Sequence, residues 1–227
     1  MSAKDPRVLR GSTAKPSPKI VTVRVGTGND EFSVHEELVC ASSPFFEAAM
    51  KPHWKEAKDR LVELPEDTAE IFGIYIQWLY TKGIASLPED PSSDSFLGEG
   101  YSLLASAYVL GEKLQDIAFK NDVVDAIMAE SFNLNPNGQR LFPGCHHIKI
   151  IYDGTPKSSL ARRLLVDMYV RHGTGTWISD SCTTLPRDFL VDLAIAQYQH
   201  RTNSKGVVPN MADTSAYHER GESGQCL

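Results

Sequence analysis

A cluster of cysteine and histidine residues in the second half of the chain has side chains that can bind a metal ion. Cys145, His146 and His147 are consecutive, and His172 and Cys182 follow downstream. Zinc sites usually combine two close Cys or His pairs, each pair spaced by two to four residues. Only the first cluster is that compact, so the sequence predicts a polar loop here and no metal site.

His35 is the residue whose chemistry would suit a general base. No serine, cysteine or aspartate forms a recognisable catalytic order around it. It stands at the end of a strand-like segment, where a histidine side chain usually packs and forms hydrogen bonds. We therefore expect no catalytic residues, and we expect that the protein is not an enzyme.

Two glycine turns resemble nucleotide-binding loops only superficially. The Gly26-Thr27-Gly28 turn lacks the third glycine of a dinucleotide loop, because Glu31 stands at that position, and residues 173–176 lack the lysine of a phosphate loop. The acidic pairs Glu36-Glu37 and Glu66-Asp67 stand at predicted helix starts, where carboxylates stabilise the helix dipole. No cofactor is expected.

The overall composition indicates a soluble chain with a real core. It has 227 residues, 41% of them hydrophobic, and a formal net charge of -6. This acidic balance disfavours a general nucleic-acid binder, and no segment reaches the roughly 20 apolar residues that a membrane helix needs. The four cysteines are widely spaced and no signal-peptide core is present, which predicts an intracellular protein, cytoplasmic or nuclear, with reduced thiols.

The first third of the chain alternates between strand and helix patterns. Residues 20–26 alternate apolar and polar side chains, and residues 31–34 return after a turn, which predicts a hairpin. Ser43 and Pro44 predict a helix start. Residues 60–64 form a strand pattern, and the helix that follows, capped by Asp67 or Thr68, runs to about Tyr80.

The rest of the chain is predicted to be helical. Residues 101–114, 117–132, 159–171 and 186–200 have helical spacing of apolar residues, whereas residues 148–152 fit a short strand or a helix start. Residues 172–184 are predicted to be a loop. In the last helix, Phe189, Leu190, Leu193 and Tyr198 are assigned to one apolar face.

Four short motifs resemble the BTB/POZ domain family. They are Phe32-Ser-Val-His35, the segment from Leu38 through Ser42 to Phe45, the step Leu64-Pro65-Glu66, and Trp78-Leu-Tyr-Thr81. All four occur in the family's order and at its separations. The resemblance implies an α+β fold, with a small sheet and a cluster of helices, followed by a helical C-terminal extension as in fungal single-BTB proteins.

The predicted organisation has four parts. A disordered basic tail spans residues 1–19, a BTB/POZ-like domain spans 20–130, a helical extension spans 131–200, and a polar, frayed tail spans 201–227. The tail at the start contains three prolines and five basic residues against one aspartate, and it has little to bury.

The resemblance also implies protein partners. BTB adaptors of cullin-based ubiquitin ligases carry a hydrophobic-x-Glu triplet after the Tyr-Thr step, and Leu87-Pro88-Glu89 stands near that place. Trp54 is a second candidate for partner binding, since exposed aromatic residues often anchor interfaces. Many BTB domains form homodimers through the first helix and the strand before it, which here implies Phe32, Leu38 and Val39.

The sequence is compatible with two roles. One is an adaptor or scaffold that joins a cullin to an unknown substrate or regulatory protein. The other is a homo-oligomeric, transcription-related regulator or a scaffold without a ligase role, although no DNA-binding segment is recognisable and direct nucleic-acid binding is not expected.

Overall fold

The computed structural model describes residues 19–28, 30–87, 99–134, 138–179, 185–202 and 213–221. Three strands come first, in an α+β arrangement: β1 (Ile20–Val25), β2 (Asp30–His35) and β3 (Leu61–Leu64). The helices are α1 (Glu36–Ser42), α2 (Pro44–Ala49), α3 (Lys55–Asp59), α4 (Ala69–Thr81), α5 (Glu99–Leu114), α6 (Ile117–Phe132), α7 (Cys145–Gly154), α8 (Leu160–His172), α9 (Gly175–Ser179) and α10 (Arg187–Thr202), followed by a 3-10 helix (Thr214–Tyr217). The predicted fold class is confirmed.

The sheet has the order β2-β1-β3. Strand β1 pairs antiparallel with β2, with Val21 opposite Val34, and parallel with β3, with Val23 opposite Val62. The side chains of Val21, Val23 and Val25 are fully buried, because alternate residues of a strand point to the same face. The alternation in the sequence therefore located the buried face of β1.

Helix α4 forms the centre of the N-terminal core. The Thr68 side chain accepts a hydrogen bond from the Ile71 N–H at 3.4 Å and so caps the helix, as predicted. Trp78 is fully buried, and its indole nitrogen donates to the Asp122 carboxylate at 2.6 Å. This bond ties α4 to α6.

A buried carboxylate joins three helices of this core. Asp116 is fully buried and caps α6 by accepting from the Phe119 N–H at 3.0 Å. It also accepts from the Ser42 hydroxyl at 2.5 Å and from the Tyr75 hydroxyl at 3.1 Å. Buried carboxylates require such donors, so Asp116 fixes the relative positions of α1, α4 and α6.

The helical extension packs on α5. Helix α7 contacts both α5 and α8, and α8 contacts α10. Arg162 of α8 is buried and donates to the carbonyl oxygens of Tyr152 and Thr155 at the end of α7. Because the last carbonyl groups of a helix lack intrahelical partners, this arginine completes α7 and links it to α8.

Residues 145–154 form a helix, which decides between the strand and the helix that the sequence left open. The prediction of a continuous loop over residues 172–184 was wrong in part, because Gly175–Ser179 is helical and Trp177 packs edge-on against Tyr169. Residues 180–184 lie outside the described part.

The predicted inward face of α10 was half wrong. Phe189 and Leu193 are buried, but Leu190 is 38% exposed and Tyr198 is 67% exposed. Phe189 packs edge-on against Tyr152 and Tyr169. The helix carries apolar residues on more than one face, so spacing alone did not show which face the other helices cover.

The prediction of a polar, frayed tail over residues 201–227 was also wrong for residues 213–221. Tyr217 is fully buried and donates to the Asp167 carboxylate at 3.1 Å. Glu219 pairs with the buried Lys120 at 2.5 Å. Its main-chain N–H and carbonyl oxygen bond the side chain of Asn121. This return segment, residues 213–221, therefore packs between α6 and α8.

None of the helices in the described part of the chain combines the length and the hydropathy that crossing a membrane requires.

Candidate functional site

The segment after α4 presents Leu87 to solvent. Helix α4 ends at Lys82, which adopts a left-handed conformation with φ 57°, and the Lys82 N–H bonds the Trp78 carbonyl oxygen at 2.7 Å. The Lys82 amine lies 3.7 Å from the centre of the Trp78 ring. Leu87 follows and is 75% exposed. Pro88 and Glu89 lie outside the described residues.

Trp54 is the second exposed side chain that the sequence singled out. It is 59% exposed and precedes α3, a five-residue helix that the sequence did not predict. The Trp54 backbone is extended, with φ -88° and ψ 152°, and its ring is one wall of a groove. Trp54 is therefore available to a partner and is not a lid over the core.

The groove has a volume of about 560 Å³ and lies between α2, α3 and β3. Its apolar lining includes Phe45, Ala49, Trp54 and Leu61. Carboxylates of Glu56, Asp59 and Glu63 also line it, against one lysine, Lys55. The sequence did not reveal the groove, because three separate elements form it; the combination of an exposed tryptophan with a nearby strand was its only signal.

The three residues predicted for a dimer surface occupy different environments. Phe32 and Leu38 are half-buried, and the Phe32 ring packs edge-on against Phe72 at a centroid distance of 5.1 Å. Val39 is fully buried and belongs to the core of the protomer. Its side chain is not available to a second copy, so the dimer prediction is corrected to Phe32 and Leu38.

His35 occupies a structural position where β2 meets α1. Its Nδ1 atom lies 2.8 Å from the Tyr80 hydroxyl, and its main-chain N–H donates to the same oxygen at 3.2 Å. The predicted packed and hydrogen-bonded role is confirmed. The bonds connect the end of β2 to α4 near the Tyr-Thr step.

The cysteine and histidine cluster takes part in helix capping and packing. The Gly144 N–H donates to Nδ1 of His147 at 2.9 Å at the start of α7, and His172 stacks on Phe142 at 4.7 Å. Within the described ranges, no three His, Cys, Asp or Glu residues are grouped as metal ligands. Cys182 lies outside those ranges.

Cys145 is disulfide-bonded, which corrects the expectation that all four thiols are reduced. Its partner is not Cys40, which is free. Burial, followed by the nearby Glu36 carboxylate, raises the pKa of the Cys40 thiol. The thiolate is the reactive form of cysteine, so this environment disfavours a nucleophilic role for Cys40.

Burial also raises the pKa of several tyrosines. The pKa of Tyr169 is raised to about 12 by burial, and its hydroxyl donates to the Pro143 carbonyl oxygen at 3.1 Å. Burial and the Asp116 charge raise the pKa of Tyr75. These hydroxyl groups are therefore protonated donors that hold helices together, and they are poor acids.

The described structure therefore combines an α+β module with exposed apolar side chains, Trp54 and Leu87 among them. Residues 16–104 match the model of the BTB/POZ domain family, in agreement with the resemblance that the sequence motifs indicated. The family implies a protein-protein interaction module. No curated protein matches the chain.

Proposed function

We propose that the protein is an adaptor or scaffold that binds a cullin through the segment containing Leu87 and Glu89. The supporting observation is the position of Leu87 after α4, with three quarters of its surface exposed. An apolar side chain in that position contributes little to folding, but as an interface anchor it contributes 2 kcal/mol or more.

The helical extension supports an adaptor role, since an adaptor needs a second binding surface. Helix α10 carries exposed Val191 and Ile195 on the side opposite buried Leu193. These two residues are four positions apart and so share one exposed apolar face of the extension. We assign it to the substrate or regulatory partner.

Self-association belongs to the same proposal. Phe32 of β2 and Leu38 of α1 are both half-buried, and homodimer interfaces are rich in apolar contacts. Light scattering at micromolar concentration should report about twice the 25.1 kDa monomer mass. A monomer at every concentration would remove the dimer and leave the cullin proposal in place.

The adaptor proposal is tested by recovery of a purified cullin N-terminal domain on the immobilised protein. We expect the Leu87→Ala/Glu89→Ala variant to keep the melting temperature and to lose cullin recovery more than tenfold. Leu134→Ala is the matched control, because Leu134 is also an exposed leucine, 64% accessible, but lies in the extension. Equal loss in both variants would contradict a specific contact at Leu87.

Failure of the wild type to recover cullin would reject the adaptor role. The remaining candidate would then be the homo-oligomeric regulator or scaffold without a ligase role. These two outcomes are separated by the wild-type experiment alone, before any variant is made.

A further inference from the structure

The groove between α2, α3 and β3 has the properties of a binding site for an extended peptide. Strand β3 is at the edge of the sheet, since the strand order is β2-β1-β3. The other side of β3 faces the groove, whose lining includes Leu61, Val62 and Glu63. A strand edge that faces a groove can accept a further strand from another chain.

The hydrogen-bond pattern shows which groups of β3 are available. Thr22 N–H bonds the Arg60 carbonyl oxygen at 2.9 Å, and Gly26 N–H bonds the Leu64 carbonyl oxygen at 3.0 Å. In a parallel ladder with this register, Val62 and Leu64 bond β1. The N–H and C=O groups of Leu61 and Glu63 therefore point away from β1, toward the groove, and within the described residues they form no backbone hydrogen bond.

The side chains around this edge define the chemistry of the peptide. Trp54 and Phe45 form an apolar wall. Glu56 and Asp59 carry negative charge on the lining and form no ion pair within the described ranges, whereas Glu63 pairs with Arg24 at 3.0 Å. Among the described residues, Lys55 is the one lysine on the lining.

Arg60 does not neutralise these carboxylates, although it lies beside them in sequence. Its left-handed backbone, with φ 55°, ends α3. Its guanidinium donates to the Ile20 carbonyl oxygen at 2.9 Å and to the Glu36 carboxylate, on the β1 and α1 side. The groove therefore keeps an excess of negative charge.

We propose that this groove binds an extended segment of a partner protein in which apolar and basic residues alternate. The segment adds to β3 as a fourth strand and bonds the main chain of Leu61 and Glu63. Its apolar row packs on Trp54 and Phe45, and its basic row faces Glu56 and Asp59, because alternate side chains of a strand point to opposite faces. This proposal is independent of cullin binding at Leu87.

The test is a calorimetric titration of the full chain with a synthetic ten-residue peptide of alternating valine and arginine with blocked ends. Two further probes isolate the contributions. One alternates valine and glutamate, and the other is the first peptide N-methylated at every second residue, on the edge that would pair. We expect the first peptide to bind and both others to bind at least tenfold more weakly. N-methylation removes the main-chain N–H donors of the added strand, and glutamate side chains would face the carboxylates of Glu56 and Asp59.

Charge reversal on the protein gives a matched comparison. We expect both Glu56→Lys/Asp59→Lys and Trp54→Ala to weaken binding of the arginine peptide at least tenfold. Asp153→Lys/Asp188→Lys makes the same change in net charge at exposed side chains of the extension and should keep binding within threefold. Equal weakening by both double variants would mean nonspecific attraction to an acidic protein and would overturn the proposal.

Amide exchange measured by NMR identifies the occupant directly. With saturating peptide, exchange at Leu61 and Glu63 should slow at least tenfold. Protection without peptide that grows with protein concentration would assign the groove to a second copy of the chain. Protection without peptide that is independent of concentration would assign it to a segment of the same chain. Either result would overturn the proposal that a partner segment occupies the groove, and so would a failure of the arginine peptide to bind.

Discussion

The N-terminal module, from β1 to α4, and the return segment, residues 213–221, are fixed by different interactions. The module packs valines, aromatic rings and the buried Trp78 around a small sheet. The return segment inserts one ring, Tyr217, and holds its place through polar bonds to Asp167, Lys120 and Asn121. A core built from regular elements leaves a pattern in the sequence, whereas a segment fixed by a few polar pairs does not.

The two regions also differ in where they offer surface. The module has the open groove beside β3, and the exposed Leu87 follows its last helix. The return segment covers α6 and α8 and buries the charge of Lys120 between Glu112 and Glu219. We infer that the module provides contacts to partners and that the return segment serves to hold the extension in position.

The largest expected effect tests the module. Trp78→Ala removes a fully buried ring whose centroid lies 5.0 Å from that of Phe119 and whose indole nitrogen donates to Asp122. Removing a buried aromatic side chain costs about 3–5 kcal/mol, a large share of the roughly 5–15 kcal/mol stability of a typical domain. Urea unfolding followed by circular dichroism should show a strongly reduced midpoint or an insoluble protein.

Trp54→Ala is the control for this change, because Trp54 is mostly exposed. We expect its unfolding free energy to stay within about 0.5 kcal/mol of wild type. If Trp78→Ala unfolded at the wild-type urea concentration, the packing of α4 on α6 would not contribute to stability as expected.

The next effect tests the return segment. Tyr217→Ala should cost about 3 kcal/mol, because the ring is fully buried against α6 and α8. Tyr217→Phe keeps the ring and loses only the bond to Asp167, which should cost about 1 kcal/mol. Thermal unfolding of wild type and both variants measures the two costs. If neither variant lost stability, residues 213–221 would be the frayed tail that the sequence predicted.

A smaller effect concerns the pH dependence of the contact with Tyr217. Burial raises the pKa of the Asp167 carboxyl above its ordinary value, although the Tyr217 hydroxyl and Arg163 act in the opposite direction. The folded state therefore binds this proton more tightly than the unfolded state. The contribution of Asp167 to stability falls as the pH rises from its ordinary value, about 3.9, through the raised one.

Asp167→Asn removes this titration and keeps an oxygen that accepts from Tyr217. We expect the unfolding free energy of the variant to increase relative to that of wild type as the pH rises through this window. Urea unfolding at a series of pH values measures this difference. Asp153→Asn, at an exposed side chain of α7, serves as the control. A constant difference between the Asp167 variant and wild type across the window would contradict the raised pKa.

The smallest effect tests the two sides of α10. Ile195→Ser lies at a half-exposed position and should change the unfolding free energy by less than about 0.5 kcal/mol. Leu193→Ser, two residues earlier on the buried side, should cost more than about 2 kcal/mol. Similar costs for both, measured by thermal unfolding, would mean that the extension covers both sides of the helix.

Much of the fold was predictable from the sequence because local rules decide it. The alternation in β1, the Ser43-Pro44 start of α2 and the Thr68 cap of α4 are encoded within a few residues, and the structure contains all three. The exposed faces were less predictable. Leu190 and Tyr198 have helical spacing, yet their burial depends on which neighbouring helix covers α10.

The candidate sites divide in the same way. Trp54 could be singled out because it stands between predicted elements, and the structure leaves it exposed. Val39 could not be separated from Leu38, since both are apolar residues of one short helix and only packing buries the first. The groove beside β3 required three elements to come together.

By itself, the sequence determined the class of fold, the order of the strands and main helices, and the family motifs of residues 16–104, because these depend on side-chain periodicity and capping over short distances. Only the tertiary structure decided the open edge of β3, the burial of Val39 and the place of Tyr217. Those features arise where segments far apart in sequence meet, and burial there depends on the partner surface and not on the residue type alone.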